Sequence, residues 1–489
     1  MLQKSIKNNY LYNLSRHLLG FIIGILTMPY VNRVLGVNGI GKIEYANSIV
    51  MYFVLFSALG IPMYGIREVS KKRDDLKGKS KLVIELLVIL IITTLISYLI
   101  LFTIIFSFKS FEDLKPLLYI MSSMLIFSNL GVEWYYQGVE DQKFITIRFT
   151  IIKIITLLLL FIFVKGPNDY LKYGFILVIS SVGGNIFNII NLKNHISLKD
   201  ISFKDLEFKK HLKPITTIFI ASVSVSIYLQ LDNLMLGTLK GSTEVGYYSM
   251  ANKLIRFAIL AITTLGSVLM PKLSFLINHD EIQYQQYLKK TLNYFMIIAL
   301  PISLIFVLLA KDFTLLIGGE NFIPAVVTMQ ILSPLIIIVS IAYFIGFLIL
   351  YPRGKESIYT IAVTLSALTS LIANFYLIPT YGHRGAALVT VLAELIGILI
   401  MILIYFKEIK KIGLININLF YYIIASIIMT LIIIYITNFN LNPFINILVS
   451  SIIGGIIYLV SLFYLKEEII ISIIKKVKSK LHFKGIIRK

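Results

Sequence analysis

Apolar runs of roughly 20 residues recur from end to end of the chain, each long enough to cross a hydrocarbon layer about 30 Å thick. The polar breaks between them are short. The pattern predicts an all-α polytopic membrane protein with about fourteen transmembrane helices. They fall near 12–34, 42–64, 82–107, 116–137, 144–164, 171–192, 214–236, 245–269, 290–310, 324–350, 357–378, 385–406, 417–437 and 443–465. The alternating segments of about ten residues that mark a membrane β-barrel are absent. The first run exceeds a signal-peptide core, lacks an A-x-A site and is followed at once by another run, so it reads as a span.

A short signature occurs twice. Leu35-Gly36 is followed by Gly41-Lys-Ile-Glu-Tyr-Ala46-Asn47, and Leu236-Gly237 by Gly246-Tyr-Tyr-Ser-Met-Ala251-Asn252. Gly, Ala and Asn keep their spacing and only the turn differs, as expected if spans 7 and 8 duplicate spans 1 and 2. Two pseudo-symmetric six-helix lobes follow, 1–192 and 214–406, joined by a basic linker at 193–213. A C-terminal helical hairpin and basic tail occupy 407–489. Parallel repeats with a site between them are a transporter's architecture. The loops are too short for a soluble catalytic domain, so function must reside in or between the helices.

Composition sharpens this. The chain of 489 residues is 57% apolar and 15% charged, with a mean hydropathy of +0.86. It has no Cys, which removes disulfides, thiol nucleophiles and thiolate metal sites, and its six His form no metal-binding pattern. No cofactor is expected. The net charge of +21 lies mainly in one set of loops: with the N-terminus inside, inner segments hold about 32 Lys and Arg and outer segments about 8. That bias places both termini in the cytoplasm, and anionic lipid explains the basic stretches Arg67–Lys81, Lys193–Lys213 and the tail from Lys466. A nucleic-acid role is disfavoured, because no aromatic-interleaved soluble domain accompanies the charge.

One stretch resembles a nucleotide site: Gly36-x-x-x-x-Gly41-Lys42 is a P-loop in which Ile43 replaces the magnesium-binding Ser or Thr. It joins spans 1 and 2 on the outer side and follows no strand, so its glycines are read as a tight turn between helices.

Charged side chains inside a span cost about 2.5–3.5 kcal/mol on insertion scales, so those retained need a reason. The candidate substrate-binding cations are Arg16, Arg33, Arg148, Lys153, Lys253 and Arg256. Arg16 either snorkels to the inner headgroups or faces a lumen. Arg148 either contacts substrate or pairs with Glu133 or Glu140. Lys253 and Arg256 share one helix face at i and i+3, too deep for both to snorkel. Asp232 and Glu44 are the candidates for coupling to an ion, H⁺ or Na⁺, although Asp232 has Arg33 or Lys253 as alternative partners. Glu394 follows a small-residue face and suits inter-helix bonding. A cationic lumen short of acids suits an anionic substrate.

The stretch Glu133–Lys165, "EWYYQGVEDQKFITIRFTIIKIITLLLLFIFVK", resembles the span 4–5 signature of Wzx-type polysaccharide flippases, in the multidrug/oligosaccharidyl-lipid/polysaccharide exporter superfamily. The matching positions are Glu133, Trp134, Gln137, Gly138, Glu140, Arg148, Lys153 and Lys165. The span 1–2 segment is similar through Arg33, Leu35, Gly36, Gly39 and Gly41, and the span 7–8 segment through Asp232, Met235, Gly237, Glu244, Gly246, Tyr247 and Lys253. Asn233 stands where the family often has Lys. The resemblance implies a two-lobed transporter of the bacterial cytoplasmic membrane. It would move an undecaprenyl-diphosphate-linked oligosaccharide from the inner to the outer leaflet by alternating access, with other polysaccharide-assembly proteins as possible partners. The rival readings are a drug/cation antiporter or a peptidoglycan-precursor flippase of the same superfamily, and a membrane glycan polymerase. The antiporter would favour acids over bases in its lumen, and the polymerase a large basic outer loop; neither feature is present.

Overall fold

The computed structural model describes residues 6–197, 203–414, 417–472 and 474–475. Helices dominate and no strand occurs among the described residues. A helix satisfies its own backbone hydrogen bonds, which lipid cannot do. Residues 198–202 of the basic linker and most of the basic tail lie outside the described residues.

The first half of the chain contains α1 (Ile6–Ala58), α2 (Ile61–Lys71), α3 (Leu76–Ser107), α4 (Lys115–Leu130), α5 (Glu133–Gly138), α6 (Gln142–Phe163), α7 (Tyr170–Val178), α8 (Gly184–Leu192) and α9 (Lys209–Leu239). A π-turn, Ile179–Gly183, joins α7 to α8. Then come α10 (Ser242–His279), α11 (Glu281–Leu308), α12 (Ala310–Ile317), α13 (Ala325–Leu332), α14 (Leu335–Tyr343), α15 (Glu356–Ile404), α16 (Phe406–Ile412), α17 (Ile417–Thr437) and α18 (Pro443–Tyr464). Short polar residues start several helices: Asp75 accepts from the Gly78 amide at 2.9 Å and Asp280 from the Gln283 amide at 2.9 Å.

Among the described residues, eleven helical segments are long and apolar enough to cross a membrane, so the expected fourteen are not reached by that count. Two of the eleven, Leu11–Ala58 and Glu356–Ile404, run to 48 and 49 residues. At 1.5 Å per residue each is about twice the length of one crossing. Each is broken at a single glycine, Gly36 (φ 67°, ψ 179°) and Gly382 (φ 56°, ψ −134°). After the second break the chain doubles back: a Cβ at Gly385 would lie 2.3 Å from the Leu377 carbonyl oxygen, eight residues earlier. In addition, α9 is 31 residues long. The tight turn expected within Gly36–Lys42 is made at its first residue. Only Gly36 leaves the helical conformation, because one residue of positive φ suffices to turn the chain.

Two compact units divide the chain, Met1–Ser249 and Met250–Lys489. In the first, α1 packs against α3, α4, α6 and α9, and α2 against α5. Trp134, Tyr135 and Tyr136 pack with Val69, Leu82 and Leu86 in one buried core. In the second, α11 packs on α14 and α17, and α17 on α18, around Tyr422, Met429 and Tyr458. Outward faces are apolar: α3 exposes Ile92, Leu95, Leu99 and Phe106. Such a surface belongs in hydrocarbon rather than water. The protein is an integral membrane protein.

The duplicated signature also has a spatial meaning. A Cβ at Gly41 would lie 1.7 Å from the Ser242 carbonyl oxygen and 3.0 Å from the Gly246 nitrogen; one at Gly246 would lie 2.2 Å from the Val37 oxygen. Gly41 and Gly246, at matching places in the two signatures, therefore bring α1 and the start of α10 into backbone contact, the use of small residues that membrane helices favour. In the second copy the turn is made by Gly241 (φ 92°).

Candidate functional site

Three of the expected cations converge within the first unit. Arg148 on α6 is only 8% exposed. Its Nη2 donates to Glu133 Oε2 at 2.5 Å and its Nη1 to Asn185 Oδ1 at 3.3 Å. Gly184 makes room for it, since a Cβ there would lie 2.5 Å from Arg148 Nη1. Arg16 on α1 donates from Nη1 to Glu133 Oε1 at 3.0 Å and from Nη2 to Asn13 at 3.1 Å. Lys153, one to two turns beyond Arg148, donates to Ser180 Oγ at 2.6 Å. A cavity of about 470 Å³ opens here, lined by Arg16, His17, Glu133, Arg148, Ser180 and Ser181 among others.

Glu133 is the hub, and local backbone geometry puts it there. Between α4 and α5 the chain passes through Val132 at φ 40°, a left-handed conformation unfavourable for a β-branched residue. The break ends α4 and starts a new helix at Glu133, whose carboxylate suits a first helical turn. Irregular backbone at membrane depth is tolerated where it lines a cavity, and strain of this kind concentrates at functional positions. Gln137, one turn on, donates to Glu133 Oε1 at 3.1 Å. Asn185 is held by donating to the Phe127 carbonyl at 2.8 Å. Three cations against one carboxylate leave the cluster positive whatever the state of His17. Arg148 Nε is buried with no hydrogen-bond partner.

None of the remaining candidates lines this cavity. Arg33 is exposed just before the Gly36 break, and Glu44 is half-buried beyond it. Asp232 on α9 is buried and accepts from the Tyr248 hydroxyl at 2.6 Å. Lys253 and Arg256 belong to the second unit; Lys253 is exposed, and Arg256 Nη1 lies 3.7 Å from Glu394 Oε1. Of the two acids open to Arg148, the structure selects Glu133, while Glu140 pairs with Arg73 at 2.7 Å. The bridge from Glu133 to Arg16, 117 residues away in the chain, has no counterpart in any local sequence pattern. Asn185 and Ser180 carry no charge, and nothing in the sequence pattern marks them out.

The family described as "Polysaccharide biosynthesis protein" matches residues 6–277, more than half of the chain. The chain belongs to that family. Within the curated proteins it is 24% identical over 398 residues to a Shigella dysenteriae protein described as "Putative O-antigen transporter", covering 81% of this chain and 99% of that one. An Escherichia coli (strain K12) protein of the same description is 20% identical over 390 residues, covering 80% and 94%. Among solved structures, "Lipid II flippase MurJ, inward closed conformation" shares the fold with a TM-score of 0.75 at 17% identity, over 94% of this chain and all of that one. An inward-facing multidrug resistance MATE family transporter of the MOP superfamily gives 0.59 at 13% identity, over 83% and 95%. These relatives and neighbours are described as transporters and flippases, not enzymes. The Arg16–Glu133–Arg148 cluster lies wholly inside the region that matches the Polysaccharide biosynthesis protein family.

Proposed function

We propose that this family member is a flippase, moving an undecaprenyl-diphosphate-linked oligosaccharide repeat unit from the cytoplasmic to the outer leaflet of the bacterial cytoplasmic membrane. The observation that carries the reading is the cavity in the first unit, where Arg16 and Arg148 face a space of about 470 Å³ and Lys153 stands beside it. Guanidinium pairs bind phosphate oxygens directly, and a diphosphate supplies the anion. Such a ligand also has a polar glycan needing a hydrated space and a lipid tail that stays in the bilayer. Lys253 and Arg256 supply further cations for the head group, as does Arg33. Alternating access between two lobes, 1–192 and 214–406, carries the head group across. An H⁺ or Na⁺ gradient drives it, with Asp232 and Glu44 as coupling carboxylates. Other polysaccharide-assembly proteins use the product.

The test is lipid extraction from cells lacking the gene. An undecaprenyl-diphosphate-linked oligosaccharide trapped on the inner leaflet, with surface polymer lost, is the expected outcome. Intact polymer with no trapped intermediate would refute the proposal.

A further inference from the structure

We propose that Glu133 is an exchangeable stand-in for the substrate's anionic group: it holds Arg16 and Arg148 while the cavity is empty, gives way when a phosphate-type anion takes both guanidiniums, and picks up a proton as it does so. Anion binding and protonation are then linked at this one carboxylate. The inference rests on the reading of this cavity as a head-group site and adds how ion and substrate binding are linked there.

The geometry is that of an occupied anion site. The two carboxylate oxygens are shared between guanidiniums from two different helices, Oε1 to Arg16 on α1 at 3.0 Å and Oε2 to Arg148 on α6 at 2.5 Å. Two oxygens of a phosphate group bridge a pair of arginines in the same manner. Arg148 has capacity left over, because its Nε is buried without a partner and buried donors are nearly always met. The contacts of Glu133 thus leave part of Arg148 unsatisfied, and the cavity beside it has room for a larger acceptor.

Displacement changes the surroundings of Glu133 in a definite direction. The charged and titratable groups on the cavity wall with it are Arg16 and His17 from α1 and Arg148 from α6, with Lys153 bonded to the lining Ser180 and with Tyr136 of α5 and Asp141 at the start of α6 close by. The uncharged amides are Asn185 from α8 and Gln137 from its own helix, and the next acid along the chain, Glu140, is engaged with Arg73. Both charged groups paired directly with Glu133, Arg16 and Arg148, are basic. Once an anion takes both guanidiniums, the carboxylate loses its counter-charges and faces a negative ligand, which favours its neutral form. The proton comes from water at the cavity. Coupling of this kind is reciprocal, so protons tighten anion binding by the factor by which the anion favours protonation. Affinity then rises as pH falls, at most about tenfold per pH unit for one linked proton.

The experiment titrates sodium sulfate, which does not itself titrate near neutrality, into the purified full chain in nanodiscs. Calorimetry is run at several pH values and in buffers of different ionisation heat. Expected for the native protein is uptake of up to one proton per sulfate, with affinity rising as pH falls. Glu133→Gln, which keeps the shape and one of the two acceptor oxygens, should bind sulfate about tenfold or more tightly at neutral pH, without proton uptake. Proton uptake that survives in Glu133→Gln but is lost in His17→Gln would overturn the assignment to Glu133. Sulfate binding without proton uptake in the native protein would overturn the coupling and leave the head-group reading standing. If neither protein binds sulfate, the cavity is not an anion site and both readings fall. Displacement of sulfate by farnesyl diphosphate at lower concentration than by inorganic pyrophosphate is expected of a lipid-borne anion; the reverse order would overturn that source.

Discussion

At Gly36 and Gly41, five residues apart, two glycines are required for different reasons. Gly41 is helical, and what forbids a side chain is the Ser242 carbonyl, 1.7 Å from where a Cβ would sit. Gly36 has open space around its Cβ position, but its backbone (φ 67°, ψ 179°) lies in a region essentially confined to glycine. Gly41→Leu should therefore destabilise by about 3 kcal/mol through overpacking between α1 and α10. Gly36→Ala should cost about 1–3 kcal/mol through backbone strain alone. Denaturant unfolding of the detergent-solubilised protein measures both. A Gly41→Leu protein as stable as the native one would contradict the backbone contact. The duplicated signature was legible in the sequence, since spacing is local. That Gly41 and Gly246 would touch was not, because contact depends on how two helices are placed.

At the scale of elements, the start of α9 is fastened to α2 and α3 by a buried polar group. Glu85 on α3 is fully buried and accepts from the Glu207 backbone amide at 2.7 Å and from Lys210 at 3.3 Å. His211 Nε2 lies 2.8 Å from its other oxygen, and His211 Nδ1 lies 2.7 Å from the Tyr64 hydroxyl. Outside any span, Glu207 is exposed; its hydrogen bond from Lys210 and the charges of Lys210 and Lys81 hold its carboxyl below the usual range. The basic linker is thus anchored through a carboxylate that hydropathy places inside the third span. Glu85→Ala strands His211 and Lys210 and should cost about 3–5 kcal/mol, whereas Glu85→Gln keeps acceptor and shape. Limited trypsin cleavage within 193–213 should quicken in the alanine protein. Unchanged cleavage would mean the linker is held by other contacts.

For the whole molecule, the charge bias of the loops makes a claim about orientation that can be checked directly, because the chain contains no cysteine. Asp113→Cys and Asn438→Cys, both at exposed positions between helices, should react with a membrane-impermeant maleimide added to cells whose cytoplasmic membrane is intact. Lys204→Cys, also exposed, should react only after permeabilisation. Labelling in the opposite sense would invert the proposed direction of transport. None of these residues lines the cavity at Arg16, Glu133 and Arg148, so the result reports on orientation alone.

The sequence by itself determined the class of protein, the approximate position of its helices and which of them carry charge. All of these follow from hydropathy and length, quantities that neighbouring residues settle among themselves. It also held the motif containing Glu133, Gln137, Arg148 and Lys153, and so the family. Only the tertiary structure decided which charges meet. Arg16 and Glu133 are 117 residues apart in the chain and 3.0 Å apart in space. Lys253 and Arg256, equally conspicuous in the sequence, belong to the other compact unit. The same was true of the turn expected from the glycines of Gly36–Lys42: the structure decided that Gly36 alone makes it. Whether a buried arginine meets a carboxylate, a ligand or lipid depends on the rotation and packing of its helix against others, and no local pattern of residues encodes that.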